Sequence, residues 1–174
     1  MATILPFKGI RPTRDKVQLV ASRSVDNYGR TDLNEKLRTN PFSFLHVIHP
    51  DFSDGRRTKP GSAKRLKKVR AQYDSLRNEG IFERDVQPCY YIYRQEKLGN
   101  IFTGIIACTS IDDYTKGVIR IHEQTLTQRE QKLKEYLDVC QFNAEPVLFC
   151  YPDHGGIEKI IAKKTAEREE YDFT

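Results

Sequence analysis

An apolar run, Val118-Ile119-Arg120-Ile121, ends on His122-Glu123-Gln124-Thr125, and a polar stretch with helical spacing follows at once. A strand that hands His, Glu and Thr to the mouth of a helix suits phosphate chemistry. The first amides of a helix have no partner inside it and point outward, where they attract anions. His122 can donate to an anionic oxygen or move a proton near neutral pH. Glu123 can act as a general base or hold magnesium. Thr125 offers a hydroxyl to a phosphate or a metal. A plainer role fits the same residues: Thr125 or Thr127 caps the helix, and His122 and Glu123 are surface side chains. The sequence holds no glycine-rich loop of the Walker type to decide between them.

The other histidines do not converge in sequence. His46 and His49 lie three apart, which on a strand turns them to opposite faces, and His154 precedes Gly155-Gly156 in a loop. Leu126 stands where a zinc-type His-Glu-x-x-His pattern needs its second histidine. No structural metal is expected.

Eight basic residues and no acidic one lie between Gly55 and Tyr73: Arg56, Arg57, Lys59, Lys64, Arg65, Lys67, Lys68 and Arg70. The formal net charge is +5, so this segment alone makes the chain basic. Nucleic acid or an acidic partner could bind there. Base-stacking aromatics are absent between Arg56 and Arg70, and no zinc-finger or helix-turn-helix spacing occurs. A solvated helix face is the preferred reading of the charge, and nucleic acid is not the expected partner.

The elements that must position these residues can be read from pattern. With 38% hydrophobic and 30% charged residues, the 174-residue chain is expected to form a single soluble α/β domain, residues 1–174. No apolar run approaches ~20 residues and the N-terminus lacks a secretion signal, which points to the cytoplasm. Cys89, Cys108, Cys140 and Cys150 form no Cys-x-x-Cys pair and read as reduced core residues. A short strand is expected within residues 1–11, then a helix after Pro12 buried through Val17, Leu19 and Val20. A second short helix spans residues 31–37, and aromatic and aliphatic density over residues 42–48 predicts a strand. Leu66, Val69, Tyr73 and Leu76 form one stripe of a helix over residues 62–79, stopped by Gly80. Residues 89–95 and 101–109 read as a hairpin turning at Leu98-Gly99-Asn100. Residues 117–121 form a further strand. Thr127-Gln128-Arg129-Glu130 has capping-box form and opens a helix to Cys140, with Leu133, Leu137 and Cys140 inward. Residues 147–151 predict a buried strand and residues 157–170 a last helix. The expected architecture is a mixed β-sheet with packed helices.

Several segments together resemble the bacterial family called domain of unknown function 1015. They are Pro6-Phe7-Lys8-Gly9-Ile10-Arg11-Pro12, Ala21-Ser22-Arg23, Asn40-Pro41-Phe42-Ser43-Phe44-Leu45-His46, Cys89-Tyr90-Tyr91-Ile92-Tyr93, Gly117-Val118-Ile119 with His122-Glu123-Gln124-Thr125, and Asn143-Ala144-Glu145-Pro146-Val147. Members are longer, so the resemblance implies that this chain corresponds to the N-terminal part of a larger architecture. The family is distantly similar to the ParB and sulfiredoxin-like nucleotide-binding fold, which includes free serine kinases. The resemblance therefore implies a nucleotide-dependent phosphotransferase acting on a small hydroxyl compound such as free serine, with Mg2+ and ATP or ADP. Glu123 and Asp26 would be catalytic. His122, Thr125, Arg23 and Asn27 would bind phosphate or substrate. The alternative is a non-catalytic nucleotide-binding or interaction module. The family's early loop carries Arg-Pro-Tyr-Asp; here Arg23-Ser24-Val25-Asp26 keeps its Arg and its Asp.

Overall fold

The computed structural model describes residues 2–23, 25–52, 55–120, 127–144, 147–152, 155–167 and 171, with the side chain of Asp26 left aside. The elements in order are β1 (Ile4–Leu5), β2 (Ile10–Pro12), α1 (Val17–Val20), a 3-10 turn (Val25–Asn27), α2 (Arg30–Thr39), α3 (Leu45–Ile48), α4 (Ala63–Asn78), β3 (Phe82–Arg84), β4 (Tyr91–Lys97), β5 (Asn100–Ile106), β6 (Cys108–Thr109), α5 (Ile111–Thr115), α6 (Thr127–Cys140) and α7 (Gly156–Thr165). Helices and small sheets are thus mixed, as the patterns imply. Instead of one mixed sheet, the described strands form three two-stranded sheets, β1 with β6, β2 with β3, and β4 with β5. The first and last of these are antiparallel. No helix among the described residues is long and apolar enough to cross a membrane.

The backbone groups into two compact units. One comprises residues 11–83, 125–143 and 173–174. Its core is built around α4, whose Leu66, Val69, Tyr73 and Leu76 are all buried. Spacings of three and four put them on one helical stripe. Ser62 accepts from the Arg65 amide at 3.3 Å and so caps the helix start. At the other end Gly80, at φ +70°, turns the chain back so that the Ile81 amide reaches the Leu76 carbonyl at 3.1 Å. Val20, Val47, Ile81 and Cys140 complete the core. Tyr73 stacks on Phe142 with ring centroids 4.1 Å apart.

Three expectations are corrected in this unit. Residues 42–48 are not a strand: α3 occupies Leu45–Ile48. The Asn40 side chain accepts from the Phe42 amide and donates to the Leu19 carbonyl, and buried Ser43 accepts from the Leu45 amide. These local bonds commit the backbone to a turn and helix despite its β-type composition. In one-turn α1, Val17 and Val20 are buried but Leu19 is exposed, because only residues three apart share its inner face. On α6, Leu133 and Leu137 are exposed, whereas Tyr136, Val139 and Cys140 meet the core. The buried stripe is rotated, because Phe142 just past the helix end brings Tyr136 inward through an edge-on ring contact at 5.8 Å. Of the four cysteines only Cys140 is buried.

The other unit comprises residues 1–10, 84–124 and 144–172. Its longest element is the β4–β5 hairpin, in register from Tyr91↔Ile106 to Lys97↔Asn100. Leu98 and Gly99 both take positive φ, +52° and +76°, which is the two-residue turn that matches strand twist. Ile4 and Leu5 pair with Thr109 and Cys108. Residues 118–120 are not strand, because the amides of Val118 and Ile119 both bond the Asp113 carbonyl and wrap the end of α5. Residues 147–151 likewise form no strand and are exposed. Cys89, Cys108 and Cys150, expected in a core, are exposed here. Every fully buried apolar side chain among the described residues belongs to the α4-centred unit.

Candidate functional site

Helix α6 begins at Thr127, two residues beyond Thr125, and runs for 14 residues. The expected strand before it does not form over residues 118–120, but the expected helix after the motif does. An open depression follows the first turns of α6, lined by Thr127, Gln128, Gln131, Lys132 and Glu135. His122, Glu123 and Thr125 themselves lie outside the described residues. Of the early-loop candidates, Arg23 is exposed, and its backbone amide donates to the Tyr28 hydroxyl at 3.1 Å. Asp26 and Asn27 stand in the 3-10 turn Val25–Asn27, with Asn27 exposed. Tyr28 thus ties down the two ends of the loop that carries Arg23 and Asp26. Among the described residues no group of three His, Cys, Asp or Glu side chains could hold a metal ion.

Two interactions that sequence reasoning missed bring the motif segments together. In the first, Phe7 and Cys89 exchange backbone bonds at 3.1 and 2.9 Å, and Phe7 packs on Tyr91 with ring centroids 5.1 Å apart. The Tyr91 hydroxyl accepts from the Gly9 amide at 2.7 Å and donates to the Asp85 carboxylate. Gly9 is required here, because a Cβ would stand 2.5 Å from that hydroxyl. Burial, and then the bond to Asp85, raise the Tyr91 hydroxyl above its ordinary pKa. In the second, the Phe44 amide donates to the Val20 carbonyl at 3.1 Å, joining the Asn40 segment to the start of the Ala21-Ser22-Arg23 loop. His46 completes that segment locally, its Nε2 lying 3.1 Å from the Asn40 carbonyl oxygen.

The family model described as "Protein of unknown function (DUF1015)" matches residues 4–174. The chain belongs to the DUF1015 family. No curated relative and no solved structure matches it. Two pairs of segments in this DUF1015 chain therefore have a visible structural reason: each member holds the backbone of its partner.

The second missed feature is ionic. Asp51 accepts from the Thr58 amide and hydroxyl at 2.8 Å each, from Arg65 Nη1 at 2.8 Å and from Lys68 Nζ at 2.9 Å. The Thr58 amide, then Lys68 and the Thr58 hydroxyl, hold its carboxyl well below the usual carboxylate range. Lys68 also donates to the Arg56 carbonyl and Arg65 to that of Ile48. Arg70 bonds Asp74 at 2.6 Å and the Cys140 carbonyl at the end of α6 at 3.0 Å. A cation at that negative helix end is favourable. Beside this cluster, burial and the Arg65 charge lower the His49 pKa. The signal available in sequence was a pair of acids, Asp51 and Asp54, just before a long cationic run.

Proposed function

We propose that this DUF1015 chain binds a nucleotide phosphate at the start of α6 and transfers a phosphoryl group to a small hydroxyl compound such as free serine. The supporting observation is that α6 begins at Thr127, two residues beyond the end of His122-Glu123-Gln124-Thr125. Amides 127–130 open that helix and have no carbonyl partners within it. They supply partial positive charge at a helix start that follows in sequence three residue types suited to phosphate.

In this reading Thr125 and His122 hold phosphate oxygens, and Arg23 and Asn27 hold the substrate end. The donor set suits a magnesium nucleotide: a carboxylate for a hard cation, and hydroxyl and imidazole for phosphate oxygens. Bound magnesium would neutralise phosphate charge at Glu123. Asp26 or Glu123 takes the proton of the attacking hydroxyl. A new bond forms between that oxygen and the terminal phosphorus, and the bond from phosphorus to the nucleoside diphosphate breaks. Such transfers depend mainly on positioning and charge neutralisation, which this residue set can provide.

The test is phosphorus NMR on the protein with ATP, magnesium and serine. A phosphoserine signal that grows with ADP and vanishes in Glu123→Gln is expected. ATP that remains intact with serine and related hydroxyl compounds would contradict transfer.

A further inference from the structure

The basic segment is shaped by its ion pairs in a way that composition does not reveal. Three of its eight cations, Arg65, Lys68 and Arg70, hold structure together through Asp51 and Asp74. Asp51 also grips Thr58, and Lys68 grips the Arg56 carbonyl, so residues 56–58 are drapped along the first turns of α4. The Ser62 amide bonds the Lys59 carbonyl at 3.1 Å and turns the chain into the helix. Arg57 and Lys59 thereby lie on a segment anchored to the start of the helix that carries Lys64 and Lys67, and all four are exposed. At about 100° per residue, Lys64 stands between the Arg65–Lys68 side facing Asp51 and the outer position of Lys67.

This arrangement works against the fold's own interest. The first turn of α4 contains no acidic residue, and its cations sit at the positive end of the helix dipole. Lys64 and Lys67 are also like charges three apart, a mildly destabilising pair. Stability alone would favour Asp or Glu at these positions.

We infer that Arg57, Lys59, Lys64 and Lys67 form a docking surface for the phosphate backbone of duplex nucleic acid, separate from the proposed phosphotransfer site. The charge is of one sign and concentrated, which suits a polyanion with regularly spaced phosphates. No large apolar side chain is exposed among residues 55–72 themselves, and the exposed Ile48 and Phe52 flank Asp51 outside the cationic stretch, so the four cations carry no wedge of their own for lipid and no apolar anchor for a protein partner. It also lacks the aromatic platform that single strands stack on. What remains is contact to phosphates, without base readout.

The test is fluorescence anisotropy with a short labelled DNA duplex, titrated from about 50 mM salt upward. Saturable binding with a steep log–log salt dependence is expected. Lys64→Gln/Lys67→Gln should weaken it roughly tenfold at low salt and reduce the slope by about two. Arg57→Gln/Lys59→Gln should act alike, from a loop rather than a helix. The same charge change on α7, Lys159→Gln/Lys163→Gln, should leave affinity within about twofold. Four outcomes would overturn the inference: no binding at low salt, wild-type affinity in both basic-segment variants, equal loss in the α7 control, or tighter binding to phosphatidylserine-containing vesicles than to the duplex.

Discussion

Gly9 illustrates how a single residue can be fixed by one partner. Its missing Cβ leaves room for the Tyr91 hydroxyl, which bridges the Gly9 amide and Asp85. Gly9→Ala should lower unfolding free energy by about 1–3 kcal/mol, measured by chemical denaturation. In a Tyr91→Phe background the same substitution should cost less, because the closest atom is gone. Equal costs in both backgrounds would show that the hydroxyl does not set the constraint. Asp51 is the second decisive residue. Its folded-state pKa is depressed by Thr58 and Lys68, so its contribution is fully present above the unfolded carboxylate pKa near ~4. That contribution fades as pH falls below ~4 toward the folded pKa, because the unfolded chain then binds the proton first. Asp51→Asn should lower the melting temperature at neutral pH and flatten the acid limb of the melting curve. A variant that tracks wild type from neutral to acid pH would remove Asp51 from the account. The Gly9–Tyr91 partnership could not be seen in sequence, because it joins residues 82 apart through one hydroxyl, whereas that of Asp51 left only the hint of an acid before a cationic run.

Among the elements, those with strong periodicity were legible. Helices α2, α4 and α6 and the β4–β5 hairpin all stand near their expected places. The stripe of α4 is the clearest case, because four apolar residues at helical spacing have only one way to share a core. Failures came where local bonds outvoted composition. Residues 42–48 look like a strand, yet Asn40 and Ser43 supply turn chemistry that favours α3. The stripe of α6 was misjudged because Phe142, beyond the helix, selects its inner face. The hairpin turn offers a direct check at this scale. Leu98 holds φ +52° while 92% exposed, so its side chain gains little to offset a left-handed backbone. Leu98→Asn creates Asn-Gly, the preferred pair for this turn, and should stabilise by about 1 kcal/mol in thermal or denaturant unfolding. A loss of stability would mean that Leu98 makes a contact worth more than its backbone costs.

For the whole molecule, the α4-centred unit holds all of the fully buried apolar side chains described, and the hairpin unit is held by backbone pairing and Tyr91. Membership of DUF1015 across residues 4–174 places the chain in its family without supplying a function. What was legible in the sequence around the motif is the helix that follows it, α6 at Thr127–Cys140. The roles of Arg23, Asp26 and Asn27 came from resemblance, since a 3-10 turn in an exposed loop has no periodic signal of its own. The reading's central claim is that His122-Glu123-Gln124-Thr125 receives a nucleotide phosphate. Isothermal titration of magnesium-ATP into the wild type, His122→Ala and Thr125→Ala measures this most directly. The account predicts saturable binding to wild type that weakens at least tenfold, or about 1.4 kcal/mol, in each variant. Absence of binding to wild type, or equal affinity in all three proteins, would contradict it.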